Sequence, residues 1–214
     1  MDFLNEINEY SERLKATIDR IDKKKIGYFA EVLLHHYGRG SHIFIFGNGG
    51  SASTASHAVC DLNKSVCLEL DKKFKCVCLN DNIPSVLAYS NDTSYDHIFY
   101  LQLENFLSPG DLVIGISGSG NSENVVKAVE YARQAGADTF TLCGFDGGRL
   151  KEIDQKKCVH VPARDMQIVE DCHLMVFHML TQLLYKQLRG IEDALELTEF
   201  YKSKVKKADN IHQR

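Results

Sequence analysis

The sequence predicts an α/β fold, a doubly wound five-stranded parallel sheet flanked by helices, with long helices at the N- and C-terminal ends. Three observations predict it. Short apolar runs alternate with amphipathic stretches from residue 42 onward. The runs are mostly continuous in apolar residues, as strands covered on both faces require. Hydrophobic residues make up 44% and charged residues 25% of 214 positions, which suits one soluble domain with a sizeable core.

Taken in order, residues 3–37 read as a helical segment. Phe3, Leu4, Ile7, Leu14, Ile18 and Ile21 recur at three- and four-residue steps, and Ile26, Phe29, Ala30, Val32 and Leu33 resume the pattern. The basic run Lys23-Lys24-Lys25 is read as an interruption between them. Tyr37-Gly38-Arg39-Gly40-Ser41 is a stop signal. Strands follow over 42–46, 74–79, 111–116, 138–143 and 157–161. Helices fall between them over 51–64, 82–90, 96–106, 122–135 and 147–154, and a long one spans 165–188. The charged tail 189–214 carries Leu195, Leu197, Phe200 and Val205 and is read as partly helical. No Pro/Gly linker divides the chain. The expectation is a single domain over 1–214, with a core at 38–188, an N-terminal helical segment at 1–37 and the tail at 189–214.

A formal net charge of −4 argues against a nucleic-acid-binding surface. No apolar run approaches the ~20 residues of a membrane span. The opening Met1–Glu6 has neither the basic nor the apolar region of a signal peptide, so a cytoplasmic location is expected. The seven cysteines include no CxxC pair and read as buried thiols in a reducing compartment. Cys76 and Cys78, two apart in one strand, are expected on opposite faces.

Two strand ends share a composition. After 42–46 comes Gly47-Asn48-Gly49-Gly50-Ser51, and after 111–116 comes Ser117-Gly118-Ser119-Gly120-Asn121-Ser122. Each precedes a helical pattern. Glycines let backbone N–H groups approach a ligand, and a helix N-terminus favours an anion. Serine hydroxyls add donors for phosphate oxygens. Neither loop has the lysine of a P-loop, and neither reads GxGxxG. In open parallel sheets, ligands bind at this edge. The loops therefore predict a phosphorylated small molecule held by backbone and hydroxyl groups; a plain strand-to-helix turn with serine as N-cap is the alternative for either loop alone.

"GNGGSASTASHAVCDL", "ISGSGNSENVVKAVEYARQAGA" and "CGFDGGRL" together resemble the sugar-isomerase (SIS) family, and more narrowly its phosphoheptose isomerases, which act on sedoheptulose 7-phosphate. The resemblance runs from about residue 3 to 188 and implies the SIS fold. It implies that Ser117, Ser119 and Ser122 bind the sugar phosphate, with Gly118 where the family commonly has Thr. It implies sugar contacts from Asn48, Gly49, Gly50 and Ser51 and from Asn91-Asp92. It places a divalent metal, zinc by family analogy, on His57, Asp61, Glu170 and His178. Two of these depart from the family, which has Glu at position 61 and Gln at 170.

The implied activity is aldose–ketose isomerisation, with Asp61 as base and metal ligand, His178 as partner acid/base, and Glu170 also near substrate. Implied too is a homotetramer, and the apolar faces of the 3–37 and 165–188 helices are expected to pack between subunits. The resemblance carries two other readings. One is a non-catalytic SIS adaptor that binds a replication initiator protein. The other is a sugar-phosphate-sensing module, which would need the serines and no base. His57 and Asp61 sit at i, i+4 and project from one helix face. Residues 170 and 178 would stand ~12 Å apart along an ideal helix. His173, five residues before His178, is expected on a different face, beside the site or on the surface.

Overall fold

The computed structural model describes residues 3–191. The tail from 192 on, and with it Leu195, Leu197, Phe200 and Val205, lies outside the described residues.

The N-terminal segment is two helices, α1 (Phe3–Arg20) and α2 (Lys23–Arg39). Asp22 leaves helical geometry at ψ 101°, and its carboxylate accepts the Lys24 N–H, which caps α2. The basic run is thus the first turn of α2, not a gap. Gly40, at φ 73°, closes α2 by donating to the His36 and Tyr37 carbonyls.

Five strands follow: β1 (His42–Gly47), β2 (Lys75–Cys78), β3 (Leu112–Ser117), β4 (Asp138–Cys143) and β5 (Cys158–His160). They pair in the order β2-β1-β3-β4-β5, all parallel. All six residues of β3 are buried, the signature of a central strand covered on both faces. Buried Asp111 locks the entry edge, its carboxylate accepting the His42 and Ser108 N–H groups.

Between the strands run α3 (Gly50–Cys60), α4 (Ile83–Asp92), α5 (Tyr100–Phe106), α6 (Glu123–Gln134) and α7 (Gly148–Ile153), and α8 (Met166–Arg189) closes the fold. On one face of the sheet, Phe29 of α2 stacks on Phe140 of β4 at 3.9 Å between centroids, and Phe177 of α8 meets Phe29 edge-on. On the other, Phe46 stacks on Phe99 above Val125 and Val129 of α6. Each fully buried phenylalanine contributes on the order of 1.5–3 kcal/mol.

Cys76 and Cys78 are both buried on one face of β2, not on opposite faces, because strand side chains alternate with a period of two. All seven cysteines are free and six are buried. Burial pushes the Cys172 thiol up to about 11, which keeps it protonated and inert.

The strand order reverses between β1 and β3, the switch point where open parallel sheets bind ligands. The register pairs Gly47 with Ile116, so the two glycine-rich loops start side by side at one edge.

Candidate active site

The serine loop leaves β3 at Ser117 and enters α6 at Ser122. The Ser117 and Ser122 hydroxyls are 2.9 Å apart and those of Ser117 and Ser119 3.5 Å apart, so three hydroxyls converge. Ser122 stands at the N-cap of α6 but makes no side-chain cap bond. The helix-capping alternative therefore does not account for it, and its hydroxyl turns to the cluster instead. The Ser119 hydroxyl accepts the Asn121 N–H, and Ser117 accepts that of Gly120.

The third motif, Cys143-Gly144-Phe145-Asp146-Gly147-Gly148, braces this loop from β4. Gly144 N–H donates to the Gly118 carbonyl and Leu150 N–H to that of Gly120. Gly120 has φ +70°, and a Cβ there would strike the Gly147 carbonyl, so the two loops touch backbone to backbone. At Gly118 the Met166 thioether from the start of α8 fills the space a side chain would occupy.

Asn48 follows β1. Its side chain pairs with Asn124 of α6 through two 2.9 Å amide bonds and accepts the Tyr95 hydroxyl at 2.9 Å. Asn80, after β2, clamps Gly47 by accepting its N–H and donating to its carbonyl. Asn124, Tyr95 and Asn80 carry no motif spacing that singles them out in the sequence; only the side-by-side loops reveal them. Asn91 donates to Asp92 at 2.8 Å, and both are exposed at the end of α4, just before the segment that bears Tyr95.

The bare backbone at Gly50, unlike that at Gly49, has an occupant from the same chain. A Cβ on Gly50 would fall on the Glu170 carboxylate, which thus lies at the N-terminal end of α3, where the helix dipole favours negative charge.

Further along α3, the helix widens into a π-helical stretch, Asp61–Val66. Asp61, its first residue, sets Oδ2 3.4 Å from His57 Nε2. Its Oδ1 accepts the Ser65 hydroxyl at 3.1 Å. His178 of α8 brings its Nε2 within 3.1 Å of His57 Nε2. The ligating atoms of His57, Asp61 and His178 all lie within 4.8 Å of one another. Four ligands held ~2.0–2.1 Å from a tetrahedral zinc stand roughly 3.3 Å apart, so the 3.1 and 3.4 Å spacings from His57 to its two neighbours suit ligands of one divalent ion.

Within one chain, then, the structure brings together three of the four sequence-named ligands. Glu170 is not in this cluster: it sits two turns before His178 on α8, against Gly50. His178 itself is exposed, although Phe177 and Leu180 beside it are buried. The core histidine is His173. It is wholly buried, its ring nitrogens find no well-formed hydrogen bond, and burial lowers its pKa to about 4 against a partly offsetting Cys143 carbonyl. The expectation of a place beside the site or on the surface was wrong: five residues turn it away from His178 and into the core.

The described residues contain no helix long and apolar enough to cross a membrane. The SIS domain family matches residues 2–144. The phosphoheptose isomerase of Geotalea daltonii is 37% identical over 179 residues, 84% of this chain and 92% of that protein. That of Trichlorobacter lovleyi is 37% identical over 166 residues, 78% of this chain and 84% of its own. The solved phosphoheptose isomerase of Neisseria gonorrhoeae matches with a TM-score of 0.78 at 26% identity, covering 86% of this chain and 97% of that one. With this sheet order, this pair of loops and these likenesses, the chain belongs to the SIS-domain family, alongside the phosphoheptose isomerases.

Proposed function

We propose that the protein is a cytoplasmic sugar-phosphate isomerase that interconverts sedoheptulose 7-phosphate and an aldoheptose 7-phosphate. The observation that carries the reading is the convergence of His57 and Asp61, on the helix that begins at the glycine turn, with His178 of α8. An adaptor needs the fold and a sensor the serines, and neither gains from that convergence. The relatives named above support the substrate class.

The phosphate belongs in the Ser117, Ser119 and Ser122 loop, with Gly118 and Gly120 leaving the backbone bare. Asn48, Gly49, Gly50 and Ser51 face the sugar, with Asn91-Asp92 at its far side. From Gly50 to His57 is ~10 Å along α3. An extended heptose advances about 1.25 Å per carbon–carbon bond, so roughly 7–8 Å separates C1 from C7, with the phosphate beyond. The rise from Gly50 to His57 is thus comparable with the length of a seven-carbon sugar phosphate.

Asp61 takes the proton at C1 or C2 and returns it to the other carbon, through an enediol. His178 moves a proton between O1 and O2. Glu170, beside Gly50, orients the sugar chain between the two ends. His57, Asp61 and His178 fit a divalent ion, zinc by donor type, which when bound would supply polarisation of the sugar oxygens. Glu170 joins such an ion only through another subunit, given its place in one chain.

The test is exchange of the C1/C2 proton of sedoheptulose 7-phosphate with deuterated water, followed by NMR. Zinc-loaded protein is expected to exchange it, and chelation to slow exchange at least tenfold, as loss of a Lewis acid at the site demands (about 1.4 kcal/mol or more in the barrier). No exchange in the loaded protein would return the chain to the adaptor or sensor reading.

The homo-oligomer, a tetramer by family, belongs to the same proposal. Phe3, Leu4 and Ile7 of α1 stay 60–69% exposed. Met179 and Leu183 of α8 line, with Ile26 of α2, a groove of ≈ 380 Å³. Apolar area of this kind on two long helices supports subunit packing. Solution scattering at micromolar concentration is expected to give four times the 24.1 kDa chain mass; a monomer mass sinks it.

A further inference from the structure

We infer that Asn124 and Tyr95 are positioning residues that fix Asn48 as a hydrogen-bond donor toward the sugar. The inference rests on the proposal that Asn48 faces substrate, and it assigns the two groups behind that residue.

An asparagine amide offers oxygen at one end and nitrogen at the other, and only its network decides which points where. Here the network has an anchor. The Val125 N–H, shared with the Ser122 carbonyl, donates to Asn124 Oδ1 at 2.9 Å. A backbone N–H cannot accept. Flipping Asn124 would set two donors against each other inside the fold, where Asn124 is only 2% exposed. Its oxygen therefore stays where it is. Asn48 Nδ2 must then donate to that oxygen, and Asn48 Oδ1 must accept from Asn124 Nδ2, both at 2.9 Å. The Tyr95 hydroxyl, also 2.9 Å from Asn48 Oδ1, takes the second acceptor site.

The count closes. Asn48 Oδ1 has both lone pairs engaged. Asn48 Nδ2 has one N–H engaged and one free. On a half-buried side chain at the mouth of β1, what remains for a ligand is a donor and no acceptor. Sugar oxygens, carbonyl or hydroxyl, are received; an N–H or ammonium group is not. Asn124 lies two residues beyond Ser122, so the same turn of α6 that ends the serine loop also sets the sugar contact.

The experiment is calorimetric binding of two ligands, sedoheptulose 7-phosphate and inorganic phosphate, to wild type, Asn124→Ala, Tyr95→Phe and, as a loop control, Ser119→Ala. Asn124→Ala is expected to weaken the sugar phosphate about 10- to 30-fold and inorganic phosphate less than about twofold, because one donor contact to the sugar is lost and the loop is intact. Tyr95→Phe is expected to act in the same sense at about three- to tenfold. Ser119→Ala weakens both ligands. Equal weakening of both by Asn124→Ala, or no change in either, overturns the inference. Tyr95 is half exposed, so its variant keeps the test open if Asn124→Ala misfolds. Side-chain amide NMR separates this inference from the functional reading. In the free wild type, one Asn48 amide proton is expected to resist solvent exchange and the other to exchange freely. Loss of that asymmetry in Asn124→Ala, with the asymmetry kept in Tyr95→Phe, supports the device even if the sugar is not the one named, and two freely exchanging protons in wild type overturn it.

Discussion

Asp61→Asn is expected to slow C1/C2 proton exchange by about 10²–10⁴-fold, the range a positioned general base contributes. The change is isosteric. It keeps an oxygen toward Ser65 and removes the charge that faces His57. Fold and phosphate binding should persist, since neither the serine loop nor the core touches this carboxylate. Asp61→Glu is the informative companion. The family resemblance implies glutamate at this position, and one more methylene extends the carboxylate ~1.5 Å. A misplacement of that order costs on the order of 100-fold when it spoils a reacting geometry. In this chain Asp61 already stands 3.4 Å from His57 at the start of the widened π-helical turn. Glutamate restores the reach that the family resemblance implies and is expected to keep or raise the rate, whereas a fall of about 100-fold would show that the chain is built around the shorter carboxylate. Unaltered exchange in Asp61→Asn would keep the enzyme and move the base to Glu170 or His178.

His173 carries the second large effect, on stability. Its folded pKa is about 4 and its unfolded value 6.5, with burial the main cause. Between those values the unfolded chain binds more protons than the folded one. Stability is therefore full above pH 6.5, falls as pH drops through the window, and is lost below about 4. The difference of roughly 2.5 units corresponds to about 3 kcal/mol. Buried His36 and half-buried His160 shift the same way, both mainly by burial, so the whole protein is expected to weaken over this range. Denaturant unfolding at pH 6.5 and pH 4 should show the loss. His173→Leu should remove about 3 kcal/mol of it, whatever the substitution does to stability at neutral pH. An unchanged pH slope in His173→Leu would falsify the assignment.

Much of the fold was legible because its signals are local. Continuous apolar runs such as Ile43–Phe46 and Leu112–Ile116 mark strands buried on both faces, and they fell within a residue or two of their observed ends. The joint at Asp22 was misplaced because a run of three lysines looks like a break. Only the capping bond to Lys24 shows it to be a helix start. Cys76 and Cys78 share a face, contrary to expectation, because residues two apart in a strand point the same way. At the site, the i, i+4 spacing of His57 and Asp61 was enough to put both on one face, since helix geometry links residues one turn apart.

By itself, then, the sequence determined a doubly wound α/β chain with two glycine- and serine-rich strand ends, and a histidine and a carboxylate sharing one helix face. Backbone geometry and hydrophobic pattern act over a few residues and need no partner. Tertiary structure decided the rest. His178 joins His57 across 121 positions because α3 and α8 pack together. It also decided that of two histidines five apart, His173 enters the core and His178 faces the site: helical spacing separates them but does not say which side is buried. It brought Glu170 to Gly50 and not to the triad, and tied Asn48 to Asn124 and Tyr95. The Glu170 contact follows from the packing of α3 on α8, and the Asn48–Asn124 pair from the β1–β3 register, which joins strands 69 residues apart and is set by the packing of the whole sheet.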